Sequence, residues 1–280
     1  MPFQPSTKPE KAPFANHCGG AFPHLLIMNH PFLNLIDVGD QALPVHLETL
    51  QVWLDRLPPQ FKAEVAAPKG TMLCGIPGSG KGIIAAVIAA TLQRPLFRLD
   101  PACDPFAVAE IVGLLGSMSP CVLLVNEPGE QHHGLVHWLL DQPRPVFVVA
   151  TTIRPDKLPS GFFRRDLFDT AWHLGLPTSG ERCKIWSQQL DPHGSPVAGY
   201  DCVRLAQCTP RCTFAEIRAM HDCVVRSAAG KVPSENDFLG AAVRYRPLAH
   251  ELDDEVSILR EWSARRADRA GVAALTDEVD

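Results

Sequence analysis

Met72-Leu-Cys-Gly-Ile-Pro-Gly-Ser-Gly-Lys-Gly82 is a short apolar run that breaks into a glycine-rich loop closed by a lysine. The spacing G-x-x-x-x-G-K, from Gly75 to Lys81, is that of a phosphate-binding loop. Glycines let the backbone turn and approach an anion closely, and a lysine at the end reaches the terminal phosphates of a nucleotide. Thr71 to Cys74 reads as a strand, and Ile83 to Leu92 as a helix apolar nearly all round, suited to burial against a sheet and bringing its positive N-terminus to the loop. The nucleotide-binding set is therefore Gly75, Ile76, Pro77, Gly78, Ser79, Gly80, Lys81, Gly82 and Ile83, with Lys81 on the phosphates and Gly78, Ser79, Gly80 and Gly82 as backbone donors. One position departs from the pattern. A Ser or Thr hydroxyl normally follows the lysine and ligates the magnesium ion that accompanies ATP, and here the residue is Gly82.

Working outward, short β-rich runs alternate with helical stretches: Leu96 to Leu99, Cys121 to Val125, Val146 to Ala150 and Thr170 to Leu174 follow the first strand. Continuous apolar strands between helices predict an α/β fold with a parallel sheet covered on both faces. Upstream, His46 to Leu57 has helical spacing, and Pro58-Pro59 is expected to stop it. Residues 1–45 carry prolines without sustained periodicity before Leu33, and are expected to form a flexible arm and a docking segment. After Pro177 the strands are expected to stop. Thr178 with Glu181 and Thr213 with Glu216 form capping-box patterns, Ser234 with Asp237 is a weaker analogue, and a last helix is expected from about Asp253 to Ala270. Val256, Leu259 and Trp262 give that helix an apolar face to dock on the body. The expected division is an arm at 1–45, an α/β core at 46–176, a small all-helical lid at 177–246 and a C-terminal helix and tail at 247–280.

At 280 residues the chain can bury a full-sized core. A net charge of −5 gives no basic footprint, which disfavours nucleic acid as a main partner. No signal peptide or membrane-spanning run is visible, and nine cysteines without a C-x-x-C pair suit reduced thiols, so the expected setting is cytoplasmic with no membrane partner. Cys202, Cys208, Cys212 and Cys223 match no zinc spacing, and His133 with His137 has the i, i+4 spacing of a ligand pair but no accompanying carboxylate motif. No metal site is read from either. The basic stretch Arg265 to Arg269 reads as a solvated helix end.

A phosphate loop, then an apolar strand ending in an acidic position, then a strand ending in a polar sensor, then a helical lid, is the layout of AAA-type ATPases, and this chain resembles them. Cys121-Val-Leu-Leu-Val-Asn-Glu127 resembles the Walker B strand, Val146-Phe-Val-Val-Ala-Thr-Thr-Ile-Arg-Pro-Asp156 the sensor-one strand, and Phe163-Arg-Arg-Asp-Leu-Phe-Asp169 the arginine-finger segment. Phe214-Ala-Glu-Ile217 falls where the lid's sensor-two helix begins. The wording of Pro95-Leu-Phe-Arg-Leu-Asp100, Pro145-Val-Phe-Val-Val-Ala-Thr151 and Leu259-Arg-Glu-Trp262 is similar to the AAA proteins of the plastid and cyanobacterial ycf forty-six group. The resemblance covers roughly residues 46–270 and implies ATP or ADP as ligand.

The departures from the family bear on catalysis. Where it carries Asp-Glu at the end of the Walker B strand, this chain carries Asn126 and Glu127, and a unit charge ~4 Å from a divalent ion at an effective dielectric of ~20 is a gross term of about 8 kcal/mol. The sensor-one asparagine falls at Ile153; of two finger arginines, Arg164 remains and Leu167 replaces the other. A one-residue slip in register would bring Glu130 or Thr152 to one of these sites. The resulting expectation is an ATP- or ADP-binding protein with a degenerate centre and weak or dispensable magnesium. Glu127 would be the surviving catalytic carboxylate and Arg164 the surviving finger. Such a protein would serve as a regulatory or assembly subunit beside copies of itself or an intact AAA partner. The alternatives are a working remodelling ATPase and a scaffold that binds no nucleotide.

Overall fold

The computed structural model describes residues 31–39, 41–62, 69–100, 102–103, 107–118, 120–141, 146–163, 168–190 and 199–271. The arm at 1–30 and the segment holding Arg164 and Leu167 lie outside them. Seven strands form one sheet: β1 (Leu33–Ile36), β2 (Gly70–Gly75), β3 (Leu96–Leu99), β4 (Cys121–Asn126), β5 (Val146–Thr152), β6 (Thr170–Leu174) and β7 (Asp268–Arg269). Their order is β1-β3-β4-β5-β2-β6-β7, and every pairing is parallel except β1 with β3. The five strands expected from the sequence are the central five. Placing β2 between β5 and β6 puts the phosphate loop at the carboxyl edge of the sheet, where chain order reverses and ligands of open α/β sheets bind.

Alternate residues of each strand go to opposite faces, and two cores result. Met72, Cys74, Leu123, Val125, Val148 and Ala150 pack with α3 (Val108–Met118), α4 (Glu130–Asp141) and α9 (Asp253–Arg266) through Ile111, Leu115, Leu135, Leu139, Val256 and Leu259. Leu73, Val122, Leu124, Phe147, Val149 and Trp172 pack with α1 (Glu48–Lys62) and α2 (Lys81–Leu92) through Leu50, Leu54, Leu57, Ile84 and Ile88. Helix α2 carries apolar side chains on nearly all its turns because the sheet lies on one side and α1 on the other.

A third cluster is separate from both: Ile185, Trp186, Leu205, Phe214, Ile217, Met220 and Phe238, from α5 (Ser179–Leu190), α6 (Cys202–Gln207), α7 (Phe214–Ser227) and α8 (Glu235–Arg244). These helices begin where their caps specify. Glu181 Oε2 accepts from Thr178 N at 2.9 Å and Glu216 Oε2 from Thr213 N at 2.8 Å, while each threonine hydroxyl accepts the returning N–H at 3.3 Å. Asp237 Oδ2 accepts from both the N–H and the hydroxyl of Ser234 at 2.7 Å.

Five expectations are corrected. Helix α1 runs through Pro58-Pro59 to Lys62: both prolines fall in its last five residues, and their φ, fixed at about −65°, is itself helical, so the cost is confined to the ladder bonds their missing N–H groups would have made. The last helix ends at Arg266 rather than near Ala270. The chain then turns extended, and Asp268–Arg269 adds a short strand beside β6. Strands therefore do not cease at Pro177. Basic residues expected to be a solvated helix end include Arg269, which lies 3.6 Å from the buried Glu181 carboxylate. Finally, part of the segment before residue 46 is built into the sheet, since Leu33–Ile36 pair antiparallel with Leu99–Leu96.

Candidate nucleotide site

The loop's backbone is constrained from both ends. Strand β2 ends at Gly75, where a Cβ would come within 2.7 Å of Leu174 O on the neighbouring strand and of Ser79 Oγ. Gly78 (φ 86°) and Gly80 (φ 98°) occupy the left-handed region that side chains disfavour. Helix α2 starts at Lys81, and Ile84 N to Gly80 O at 3.0 Å closes its first turn. Its earliest N–H groups have no partner within the helix, so the loop and the helix end together present donors to an anion. Ser79 Oγ is buried and without a hydrogen-bond partner.

Lys81 is folded back over this loop, its Nζ donating to Gly75 O and, at 3.0 Å, to Ile76 O. Burial pulls its pKa down, and the opposing charge of Glu127 pushes the other way. The thiol of Cys74 beside it is raised by burial and is an inert core group. The helical part closes over the same loop. Ala215 N, in the first turn of α7, donates to Gly78 O at 3.1 Å, and a Cβ on Gly78 would lie 2.6 Å from Thr213 Oγ1. On the other flank, Pro44 Cγ sits 3.4 Å from where a Cβ of Gly80 would be.

Strands β4 and β5 supply the second half of the site, and their paired ends bring Asn126 beside Thr151. Asn126 Oδ1 accepts from Thr151 Oγ1 at 2.9 Å. Glu127 then turns into the left-handed region, φ 44°, with its N–H on Thr151 O at 2.7 Å. Its carboxylate accepts from Thr152 Oγ1 at 3.0 Å and from Ile153 N at 3.0 and 3.1 Å. Thr152 Oγ1 in turn accepts from Arg154 N at 3.0 Å. Ile153 contributes its N–H to the site while its side chain packs on the core.

The donor set suits a phosphate anion: left-handed glycines, a helix N-terminus, a lysine and an orphaned hydroxyl converge there. Toward a divalent cation it offers less. At Gly82 there is no side-chain oxygen, and nothing lies within 4 Å of where a Cβ would be. Asn126 presents a neutral amide oxygen already engaged by Thr151, and the Glu127 carboxylate is held by the end of β5.

Arg164 lies outside the described residues, as do the side chains of His133 and His137. Among the described residues no group of three or more His, Cys, Asp or Glu is placed to hold a metal, and no helix is long and apolar enough to cross a membrane. Sequence reasoning overlooked Thr151 and, as a partner of Glu127, Thr152. The available signal was two hydroxyls in succession at the end of an apolar strand, which alternation must send to opposite faces.

Residues 71–176 match the family described as "ATPase family associated with various cellular activities (AAA)". That stretch, from the strand before the phosphate loop through β6, is similar to an AAA domain. Over 265 residues it is 27% identical to the uncharacterized AAA domain-containing protein ycf46 of Pyropia yezoensis, covering 82% of this chain and 53% of that protein. The Guillardia theta protein of the same description is 27% identical over 277 residues, covering 86% and 53%. The chain thus spans about half the length of the curated relatives it matches. Among solved structures, the FIGL-1 AAA domain superposes with a TM-score of 0.64 at 18% identity, covering 88% of this chain and 95% of that one. A katanin structure bearing on self-assembly gives 0.65 at 19%, covering 90% and 99%. These likenesses establish the AAA fold, with a mostly parallel sheet flanked by helices and followed by a helical part.

Proposed function

We propose that this chain is an AAA-type ATP- or ADP-binding protein in which the nucleotide serves as a structural ligand or slow switch rather than as fuel. The observation that carries the reading is the division within one site: the phosphate loop is complete, while Gly82, Asn126 and Ile153 stand where a hydroxyl, a carboxylate and a sensor amide would act. Lys81 and the N–H groups of Gly78, Ser79, Gly80 and Gly82 bind the phosphates. Magnesium, when present, would come with the nucleotide's own oxygens and a neutral Asn126. When bound, such an ion would neutralise phosphate charge. Glu127 is the remaining carboxylate, and it is engaged by Thr152 and Ile153 rather than aimed at a water. The role is regulatory or assembly-related, beside copies of this chain or an intact AAA partner, with Arg164 available to a neighbour's nucleotide.

Steady-state turnover tests it. The wild-type protein is expected at background, and Gly82→Thr with Asn126→Asp is expected to raise turnover by a factor of about 100 to 1,000, because each restores a catalytic electrostatic group. The unfilled space at Gly82 accommodates the threonine. Ordinary ATPase rates in the wild type, abolished by Lys81→Ala, would return the protein to the class of working remodellers.

A further inference from the structure

We propose that Arg211 is a positioning residue for the nucleotide site, holding the helical lid down on the phosphate loop by gripping the start of α9. Arg211 lies in the turn between α6 and α7 with φ 59°, a left-handed conformation that a non-glycine residue keeps only where its surroundings impose it. What imposes it here is the side chain. Arg211 Nη2 donates to Ala249 O at 2.9 Å and pairs with Asp253 Oδ1. Ala249 is fully buried in the sheet's core cluster, and α9 sinks Val256 and Leu259 into the same cluster. The grip therefore runs from a turn of the lid to a fixed part of the sheet body.

Two residues beyond Arg211, Thr213 caps α7 and abuts Gly78, and Ala215 N donates to Gly78 O. The N-terminus of α7 is thus held on one side by Arg211 and meets the phosphate loop on the other. Glu216, the third residue of that helix and the capping-box partner of Thr213, reinforces the arrangement by accepting from Leu248 N at 2.8 Å, in the connector leading to α9. A half-exposed ion pair by itself contributes little, so the bond to the buried Ala249 carbonyl, rather than Asp253, carries most of the effect. Releasing Arg211 frees the lid turn, loosens Ala215 from Gly78 and speeds departure of a bound nucleotide.

This rests on the nucleotide-site reading above, and the experiment separates the two. Arg211→Gly removes the side chain while suiting the left-handed backbone, and Asp253→Asn leaves the Ala249 bond in place. The first measurement is amide hydrogen exchange of Ala215 in ligand-free protein. Arg211→Gly is expected to speed it about tenfold, the order of one charge-assisted hydrogen bond, with β4 and β5 amides unchanged. Asp253→Asn is expected to change it less than Arg211→Gly does. The second measurement is release of a fluorescent ADP analogue, expected to quicken in the same order. Ala215 exchange in Arg211→Gly indistinguishable from wild type overturns the proposal. Failure of the wild type to bind the analogue refutes the nucleotide-site reading instead, and the exchange measurement still decides the role of Arg211.

Discussion

The two halves of the cleft have fared differently. On the phosphate side, the groups offered are mostly backbone: the N–H groups of a loop bent through Gly78 and Gly80 and of the start of α2, with the Lys81 ammonium folded over them. On the metal and water side, the AAA layout calls for single side chains at positions 82, 126, 127 and 153, where this chain has Gly82, Asn126, Glu127 and Ile153, and only the glutamate is the expected residue type. A backbone site survives substitution of its neighbours as long as the turn is kept. A side-chain site is lost one residue at a time. On the proposed reading, binding and hydrolysis are separable, and they part between one loop and the strand beside it.

The comparison can be broken most severely at Lys81. Lys81→Ala is expected to weaken ATP and ADP by about 2–3 kcal/mol, roughly 30- to 150-fold, the range for hydrogen bonds made by a charged group. Unchanged affinity by calorimetry would move the phosphates away from this loop. Gly78→Ala comes next. It places a methyl 2.6 Å from Thr213 Oγ1 at a positive φ, and is expected to lower thermal stability by about 1–3 kcal/mol and to weaken nucleotide binding as the lid is pushed off. Gly82→Ala is the matched control. With open space at its Cβ and a place in the first turn of α2, it is expected to stabilise by up to about 1 kcal/mol through helix propensity. Equal effects at the two glycines would contradict the division drawn here.

A smaller effect sharpens the boundary between sheet and lid. His46 is buried, stacks on Phe214 of α7 at 6.0 Å, and has its pKa pulled from 6.5 down to about 4, chiefly by burial and then by the charge of Arg269. The folded protein therefore holds it neutral while the unfolded chain binds a proton below pH 6.5. Its contribution is fully present above that pH and is lost as pH falls toward 4, with a slope of at most about 1.4 kcal/mol per unit. Denaturant unfolding between pH 6.5 and 5 is expected to be less pH-dependent in His46→Phe than in wild type. Identical profiles would remove His46 from the account.

Much of this was legible in the chain. Five apolar runs gave the five central strands because parallel strands buried on both faces leave a continuous signal, and the capping boxes at Thr178 and Thr213 marked true helix starts. Edge elements were not legible. Leu33–Ile36 and Asp268–Arg269 are too short to carry a period, and each is extended only because a neighbouring strand end accepts it. Pro58-Pro59 misled for a different reason: proline's fixed φ is itself helical, so near a helix end the pair costs ladder bonds without forcing the chain out of the helix. In the site, the residue types at Gly82, Asn126 and Ile153 could be read directly. That Glu127 is clasped by Thr152 and the Ile153 amide could not, since it depends on the backbone turn at Glu127.

The central claim is that phosphate binding persists without the protein's usual hold on magnesium. Calorimetric titration of the wild-type protein with ADP and with ATP, once in magnesium and once in excess chelator, tests it most directly. Affinities within a few-fold of each other are expected in the two conditions. A loss of a hundredfold or more on chelation, about 2.7 kcal/mol, would show that the metal is held here after all and would contradict it.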